Sequence, residues 1–349
     1  MEIERPNLDT VDPAVRAYIE ALEAELEQLR QGKRQARASG ASSADSAEPC
    51  EPPTTINVVT VNRSGSIKRT PRHLYSRQRR GGMGVFDLQT AEDDPPALLT
   101  LADESESLIV ITDRARAFRL SLKTLAESPV NNRGQPLTTL LGLNDGERPA
   151  ILLADQSGAY VAILSQRGHV HWMAGHLLGE KLLPGTILYE TKKLGSPVAA
   201  CWTPGDSDLF VTTHAGQAIR FSARQVPMRG CLGIRLERDD AAVAITAVSE
   251  DSGVFLLGAD GKGTVRLMSG FRANKSPGGG GKVALKTDHL IGAVTVSEGS
   301  DVFAISRLGK IIRFQTIEVP PKEGAVQGVS CMALRADEVV ALAASAVSS

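Results

Sequence analysis

The chain has 349 residues, 42% of them hydrophobic but only 4% aromatic, with 33 glycines, a composition suited to short strands and turns in one large or two ordinary domains. Its net charge of −1 carries no overall basic signature of a nucleic-acid binder, so any such role must lie in how the charge is distributed. Four scattered cysteines (Cys50, Cys201, Cys231, Cys331), with no CxxC and no histidine at ligand spacing, argue against a disulfide framework or a zinc site, and no apolar run approaches the ~20 residues of a membrane span.

Residues 1–12 read as a polar tail, too acidic for a secretory signal, and the expected location is cytoplasmic. Asp12 followed by Pro13 is a helix start, because proline loses nothing at a position whose N–H has no partner. From there to residue 37, Val15, Ile19, Leu22, Leu26 and Leu29 step by 4, 3, 4, 3 and form one apolar stripe. Three readings stay open for this helix: self-association, docking on a partner or on the chain's own body, and a frayed solvated helix. Residues 38–55, rich in Ala, Ser and Pro, have nothing to bury and read as a disordered linker.

The stretch Ile56 to Phe86 changes character. INVVTVNRSGSIKRT alternates β-branched residues, breaks at Gly65 and resumes, as a hairpin does. From Arg63 to Asp87 there are seven cations (Arg63, Lys68, Arg69, Arg72, Arg77, Arg79, Arg80) against one acid, a local field that matters for association whatever the total charge. The hairpin form then returns at Leu108, Ala159, Asp208, Gly253 and Asp301, at intervals of 52, 51, 49, 45 and 48 residues. Each return is an apolar strand, a turn, an apolar residue and, in most, an arginine four positions after the turn glycine. Ala115 replaces that glycine in the second, Trp172 replaces the arginine in the third, and the fifth reads as having one extra turn residue. Six units of about four short strands, each unable to bury both faces alone, predict an all-β, six-bladed propeller over residues 56–345.

Gln78-Arg79-Arg80-Gly81-Gly82-Met83-Gly84 resembles the box of the DNA gyrase A C-terminal domain, the DNA-wrapping domain, which reads Gln-Arg/Lys-Arg-Gly-Gly-Arg/Lys-Gly. Met83 stands where the family carries a cation. The resemblance implies a β-pinwheel, in which neighbouring blades exchange strands, and it implies double-stranded DNA as partner with little sequence preference. It places phosphate contacts on Gln78, Arg79, Arg80, Gly81, Gly82 and Gly84, near the closure of the ring between blades one and six. The repeats themselves add Lys68, Arg69, Arg119, Arg220, Arg266 and Arg313 at corresponding strand ends. Arg72, Arg77, Arg224, Arg229 and Lys282 supply local excess, so that a curved basic rim would hold the duplex bent. For any one arginine, the competing reading is a charge that keeps a blade edge soluble.

No catalytic motif appears, and no tyrosine sits in a breakage-reunion region like that of gyrase. The expectation is therefore a non-enzymatic, cofactor-free and metal-free protein, free-standing and nucleoid-associated, assisting a topoisomerase or acting alone. The histidines His169, His171 and His176 read as strand and loop residues, Phe210, Phe255 and Phe303 as core, and Ser276–Lys282 as a flexible loop rather than a phosphate loop, since Val283 stands where a metal-binding hydroxyl is needed. The rival from another class is a protein-interaction propeller that has lost wrapping, favoured by the neutral total charge, the acidic stretch 92–106 and the variant box.

Overall fold

A computed structural model of the protein describes residues 51–156 and 158–345. The expected tail, the helix carrying Val15, Ile19, Leu22, Leu26 and Leu29, and most of the linker lie outside the described residues.

Each repeat begins with a hairpin whose strands are buried on both faces. Ile56–Asn62 and Ser66–Pro71 in blade one, and Asp301–Ser306 and Lys310–Gln315 in blade six, hold almost no exposed residue. These near-continuous apolar runs are what a strand needs when blades pack on either side of it. The hairpin turns place Gly65, Gly168, Gly216, Gly261 and Gly309 at φ between 70° and 92°; Ala115 adopts φ 55° in their stead. The third long strand of each repeat pairs with the first strand of its own hairpin and faces inward, as Pro96–Asp103 does with Ile56–Asn62. Six such strands surround a central channel of about 460 Å³, lined mainly by small and aliphatic residues with Thr100, Thr246, Thr295, Gln156 and Trp202 and, among the described residues, by no carboxylate, histidine, lysine or arginine.

Every blade takes its outermost strand from the next repeat. Gln135–Pro136 of repeat two closes blade one against Ser66 and Ile67, and Thr186–Ile187, Cys231–Leu232, Lys282–Val283 and Val329–Ser330 do the same for blades two to five. Val85–Phe86 of repeat one reaches blade six, where Val85 pairs with Ile311 and Phe86 with Lys310. The ring is thereby closed by the first repeat, with the exchange that defines a pinwheel.

Six apolar clusters fill the six interfaces, one per neighbouring pair of blades. Val59, Val61 and Leu108 belong to the first, and Val58, Tyr75, Phe303 and Ile305 to the closing one between blades six and one. Phe210, Phe255 and Phe303 are fully buried in these clusters. A 3-10 turn follows each hairpin (Arg72–Leu74, Leu122–Thr124, Gly175–Leu178, Ala223–Gln225, Met268–Gly270, Thr316–Glu318), and an irregular traverse then leads out to the donated strand. The glycine run is not a free loop, because Gly279 and Gly280 pair in parallel with Ile234 and Arg235.

Candidate nucleic-acid interface

The cations fall into two populations, separated by which face of the blade they leave. The recurrent arginine four residues after the turn points into the cleft toward the next blade. Arg313, 1% exposed, donates from Nε and Nη2 to Asp301 Oδ2 (3.0 and 2.5 Å), from Nη1 to the carbonyls of Arg72 and Tyr75 (3.2 and 3.0 Å), and from Nη2 to Glu51 Oε2 (2.9 Å). Arg220, 3% exposed, repeats the arrangement: Nε to Asp208 (2.8 Å), Nη2 to Glu250 (2.8 Å), and Nη1 to the carbonyls of Met268 and Phe271 (2.9 and 3.2 Å). Half-buried Arg119 donates to Asp155 and to the Leu178 carbonyl. Each of these arginines ties its own hairpin to the 3-10 turn of the next blade, using the planar fork that lysine lacks.

The sequence expectation that these cations form a DNA-facing rim is corrected here. Lys68, Arg69, Arg220, Arg266 and Arg313 are buried and cannot meet a phosphate backbone. Lys68 points the opposite way from Arg69, and its ammonium donates to Asp87 Oδ1 (2.5 Å), which also accepts from the Tyr75 hydroxyl (2.5 Å). Burial depresses the Lys68 pKa while the Asp87 charge opposes that shift. The fifth hairpin has no extra turn residue: Gly261 closes its turn on Gly258 at 3.0 Å, as Gly216 does on Thr213. Arg266 instead lies one residue past the linking position and so leaves from the other face, over the Phe271 ring at 5.5 Å. Val265 takes the linking position.

The box is largely committed to closing the ring. Gln78 N–H donates to the Arg313 carbonyl (2.8 Å), and Gln78 Oε1 accepts from Gly84 N–H (3.2 Å). The Arg80 guanidinium donates to the carbonyls of Glu318 (2.7 Å) and Ser330 (3.1 Å). Gly81 N–H donates to Cys331 O (2.7 Å) and Gly82 N–H to Arg79 O (3.1 Å). Gly84, at φ 72°, lies so close to blade six that a Cβ would come within 2.6 Å of the Ile311 carbonyl. Gly84 thereby admits the donated strand to blade six. Arg72 is held by Glu51, 2.8 Å from Nε to Oε1, so the ordered chain reaches back into the stretch read as linker. Burial raises the Glu51 carboxyl pKa, but hydrogen bonds from Arg313 and Arg72 and their charges bring it below its ordinary value.

The second population is exposed and lies on the 3-10 turns, traverses and donated strands along the outer perimeter. Repeat one contributes Arg77 and Arg79, repeat two Lys123 and Arg133, and repeat three Lys181. Repeat four contributes Arg224 and Arg229, repeat five Arg272, Lys275 and Lys282, and repeat six Lys322. Arg77 also donates to Asp301 from Nε at 2.8 Å; the others form no ion pair among the described residues. Traverses one, four and five are the richest, while Lys181 and Lys322 each sit beside a glutamate, Glu180 and Glu323.

Four of the six repeats, at residues 57–94, 106–148, 207–249 and 300–345, match the family model of the DNA gyrase C-terminal domain, a β-propeller. The ring belongs to the DNA gyrase A C-terminal domain family. The DNA gyrase A protein of Mycobacterium leprae is 28% identical over 306 residues, covering 83% of this chain and 24% of the relative. That of Mycolicibacterium smegmatis is 27% identical and matched over 36% of its length. The chain thus spans about a quarter to a third of the curated relatives. A solved DNA gyrase A C-terminal domain superposes with a TM-score of 0.72 at 18% identity, covering 83% of this chain and 99% of that one. The C-terminal domain of DNA topoisomerase IV gives 0.55 at 16% identity, covering 83% and 93%.

Within this family frame, the exposed cations missed from sequence are Lys123, Arg133, Lys181 and Lys322. Arg133 directly precedes Gly134 and Arg229 directly precedes Gly230, as Met83 precedes Gly84, so the residue before the glycine that admits the donated strand is the signal that would have found two of the perimeter cations. The three histidines hold no metal arrangement: His171 is buried and stacks on Tyr189 at 4.2 Å, while His176 is exposed on its 3-10 turn. Among the described residues no group of three His, Cys, Asp or Glu could hold a metal ion, and no helix is long and apolar enough to cross a membrane.

Proposed function

We propose that this ring binds duplex DNA on its outer perimeter and bends it there, without strong sequence preference and without catalysing strand breakage. The carrying observation is that every repeat sets at least one exposed cation on its outer traverse, with no neighbouring carboxylate engaging most of them. Phosphate contacts from such a perimeter are blind to sequence. The densest charge lies on traverse one, seated on blade six, and on traverses four and five, seated on blades three and four. Blades six and three are opposite in a six-membered ring, so a duplex touching both patches must curve. Curving 20–30 base pairs by tens of degrees costs on the order of 1–6 kcal/mol, which several phosphate contacts offset. Arg79, Arg224, Arg229 and Lys282 carry the binding in this reading, with Arg133, Arg272 and Lys275 added. Arg77 and Gln78 contribute by fixing the traverse. The setting is cytoplasmic and nucleoid-associated, beside a topoisomerase or a second copy reached through the Val15–Leu29 stripe.

A second reading, a protein-interaction ring, draws on exposed apolar residues of the same traverses and donated strands: Phe86 is 54%, Ile187 70% and Leu183 75% exposed. Closing relaxed plasmid with ligase in the presence of the full chain separates the two. A shift in linking number that grows with protein supports bending and wrapping. An unchanged linking number, with no retardation of a duplex of ~40 base pairs at low salt, leaves the interaction ring standing.

A further inference from the structure

The interface between blades five and six departs from its neighbours in two residues, Val265 for the linking arginine and Gly253 where blades four and six carry Asp208 and Asp301. Val265 occupies the linking position, as its parallel pairing with Pro321 shows; Arg69 pairs in the same way with Glu127. Yet the acceptors that the following blade offers to the arginine are retained. Between blades four and five, Arg220 meets Met268 O, Phe271 O and Glu250 Oε2. Their counterparts one blade on are Thr316 O, Val319 O and Glu298. The equivalence is set by the backbone: Ser249 and Ser297 each donate an N–H to the hydroxyl of the serine three residues later, Ser252 and Ser300 (2.9 and 3.1 Å). Met268 N–H and Thr316 N–H then donate to the carbonyls of those serines, both at 2.9 Å. Glu250 and Glu298 therefore hold the same place in successive turns.

With valine in place of arginine, the cleft opens to about 850 Å³, walled by Val265, Leu267, Ile317 and Val319 and bordered by Asp251 and Glu298. Among the described residues, no lysine or arginine lines it. Exposed Glu298 forms no ion pair among the described residues, and Ile317 at the mouth is 65% exposed. Phosphate is repelled by these acids, so the site lies outside the DNA-binding reading and does not depend on it.

We infer that this cleft is a docking site for an arginine side chain presented by an extended segment of a partner protein. The guanidinium reproduces the interblade part of the Arg220 pattern: one Nη donates to the two carbonyls of the 3-10 turn and the other to Glu298, while the alkyl stem lies on Val265 and Val319 and Gly253 leaves room where Asp208 stands one blade back. A lysine ammonium is a compact point charge and cannot span both acceptor groups. The cleft is wider than one side chain, and its apolar lip at Ile317 and Pro321 takes the residues flanking the arginine.

Titration of the full chain with the capped peptide Ala-Ala-Arg-Ala-Ala, followed by heteronuclear NMR, tests this. The expected result is saturable binding in the millimolar range, with shifts at Val265, Glu298 and Ile317. The peptide with citrulline for arginine, and the Glu298→Gln protein, should each bind about 10-fold more weakly, the loss expected of a charged hydrogen bond. Val265→Arg, which fills the cleft from within, should abolish binding and raise Tm; should that variant not fold, citrulline and the exposed Glu298→Gln decide alone. Absence of saturation, equal affinity for the arginine and citrulline peptides, or peptide affinity retained in folded Val265→Arg overturns the proposal. Free L-arginine binding as tightly as the peptide overturns the docking of a chain segment.

Discussion

Arg313 and Arg79 are the same residue type on the same ring, yet they do opposite work. Arg313 is 1% exposed and ties blade six to blade one through Asp301, Glu51 and two backbone carbonyls. Arg79 is exposed on the traverse beside it and has no ion-pair partner among the described residues. The difference is one of face and not of charge. A regular strand sends alternate side chains into opposite interblade clefts, whereas an irregular traverse on the perimeter sends them to water. In blades two, four and six, a cation at fixed distance from the hairpin turn is a structural tie, and a cation in the aperiodic segment before the donated strand is exposed to solvent.

That division can be broken by experiment, beginning where the effect is largest. Arg313→Ala removes the buried guanidinium that joins Asp301, Glu51 and two carbonyls, leaving Asp301 with Arg77 and Glu51 with Arg72; breaking a buried pair costs up to ~3–5 kcal/mol, so calorimetry should show a markedly lower Tm. A weakened DNA complex with an unchanged Tm would reverse the assignment. Gly84→Ala is expected to destabilise by about 1–3 kcal/mol, since its methyl meets Ile311 O and its φ is 72°. Loss of DNA binding without loss of stability would return the box glycines to a phosphate role.

Acid should loosen the ring in two stages. Burial, and the His169 charge, depress the His171 pKa below its ordinary 6.5, and burial likewise depresses His214, so their contribution is present above pH 6.5 and wanes as pH falls below it. Glu51 and Glu147 are depressed below 4.5 despite burial, by their arginine and hydrogen-bond partners, and their contribution is lost on further descent through the folded values. Glu106, raised by burial, offsets part of the second stage. Thermal melts from pH 8 to 3 that stay flat across this range would contradict the ion-paired closure. The smallest effect is a gain: Met83→Arg, exposed and placed where the family has a cation, should tighten duplex binding a few-fold at low salt and steepen its salt dependence by about 0.9 in log–log slope.

Much of the fold was legible because it repeats. Six apolar hairpins at 45–52-residue intervals, punctuated by residues able to take positive φ, determine the number of blades and the positions of their cores. Strand exchange was not readable from spacing, since the donated strands are two residues long and lie in segments without periodicity. The proposed binding surface was half legible. The charge-rich stretch around Arg79 is visible in sequence, but sharing a repeat offset made Lys68, Arg69, Arg220 and Arg313 look like a rim when their strands direct them inward. Arg266 misled by a single residue, enough to turn a side chain to the opposite face. Glu51 was invisible as an anchor because nothing local ties it to Arg313, 262 residues away.

Perimeter cations holding duplex DNA are the central claim, and the salt dependence of that binding tests it most directly. Affinity for a duplex of ~40 base pairs would be measured from low to moderate salt for the full chain and for the triple variant Arg79→Ala, Arg229→Ala, Lys275→Ala. The expected result is an unchanged Tm and a log–log slope shallower by about 0.9 per contact removed, roughly 2.7 in all. Salt-independent binding by the unaltered chain, or the same slope in the triple variant, would contradict it.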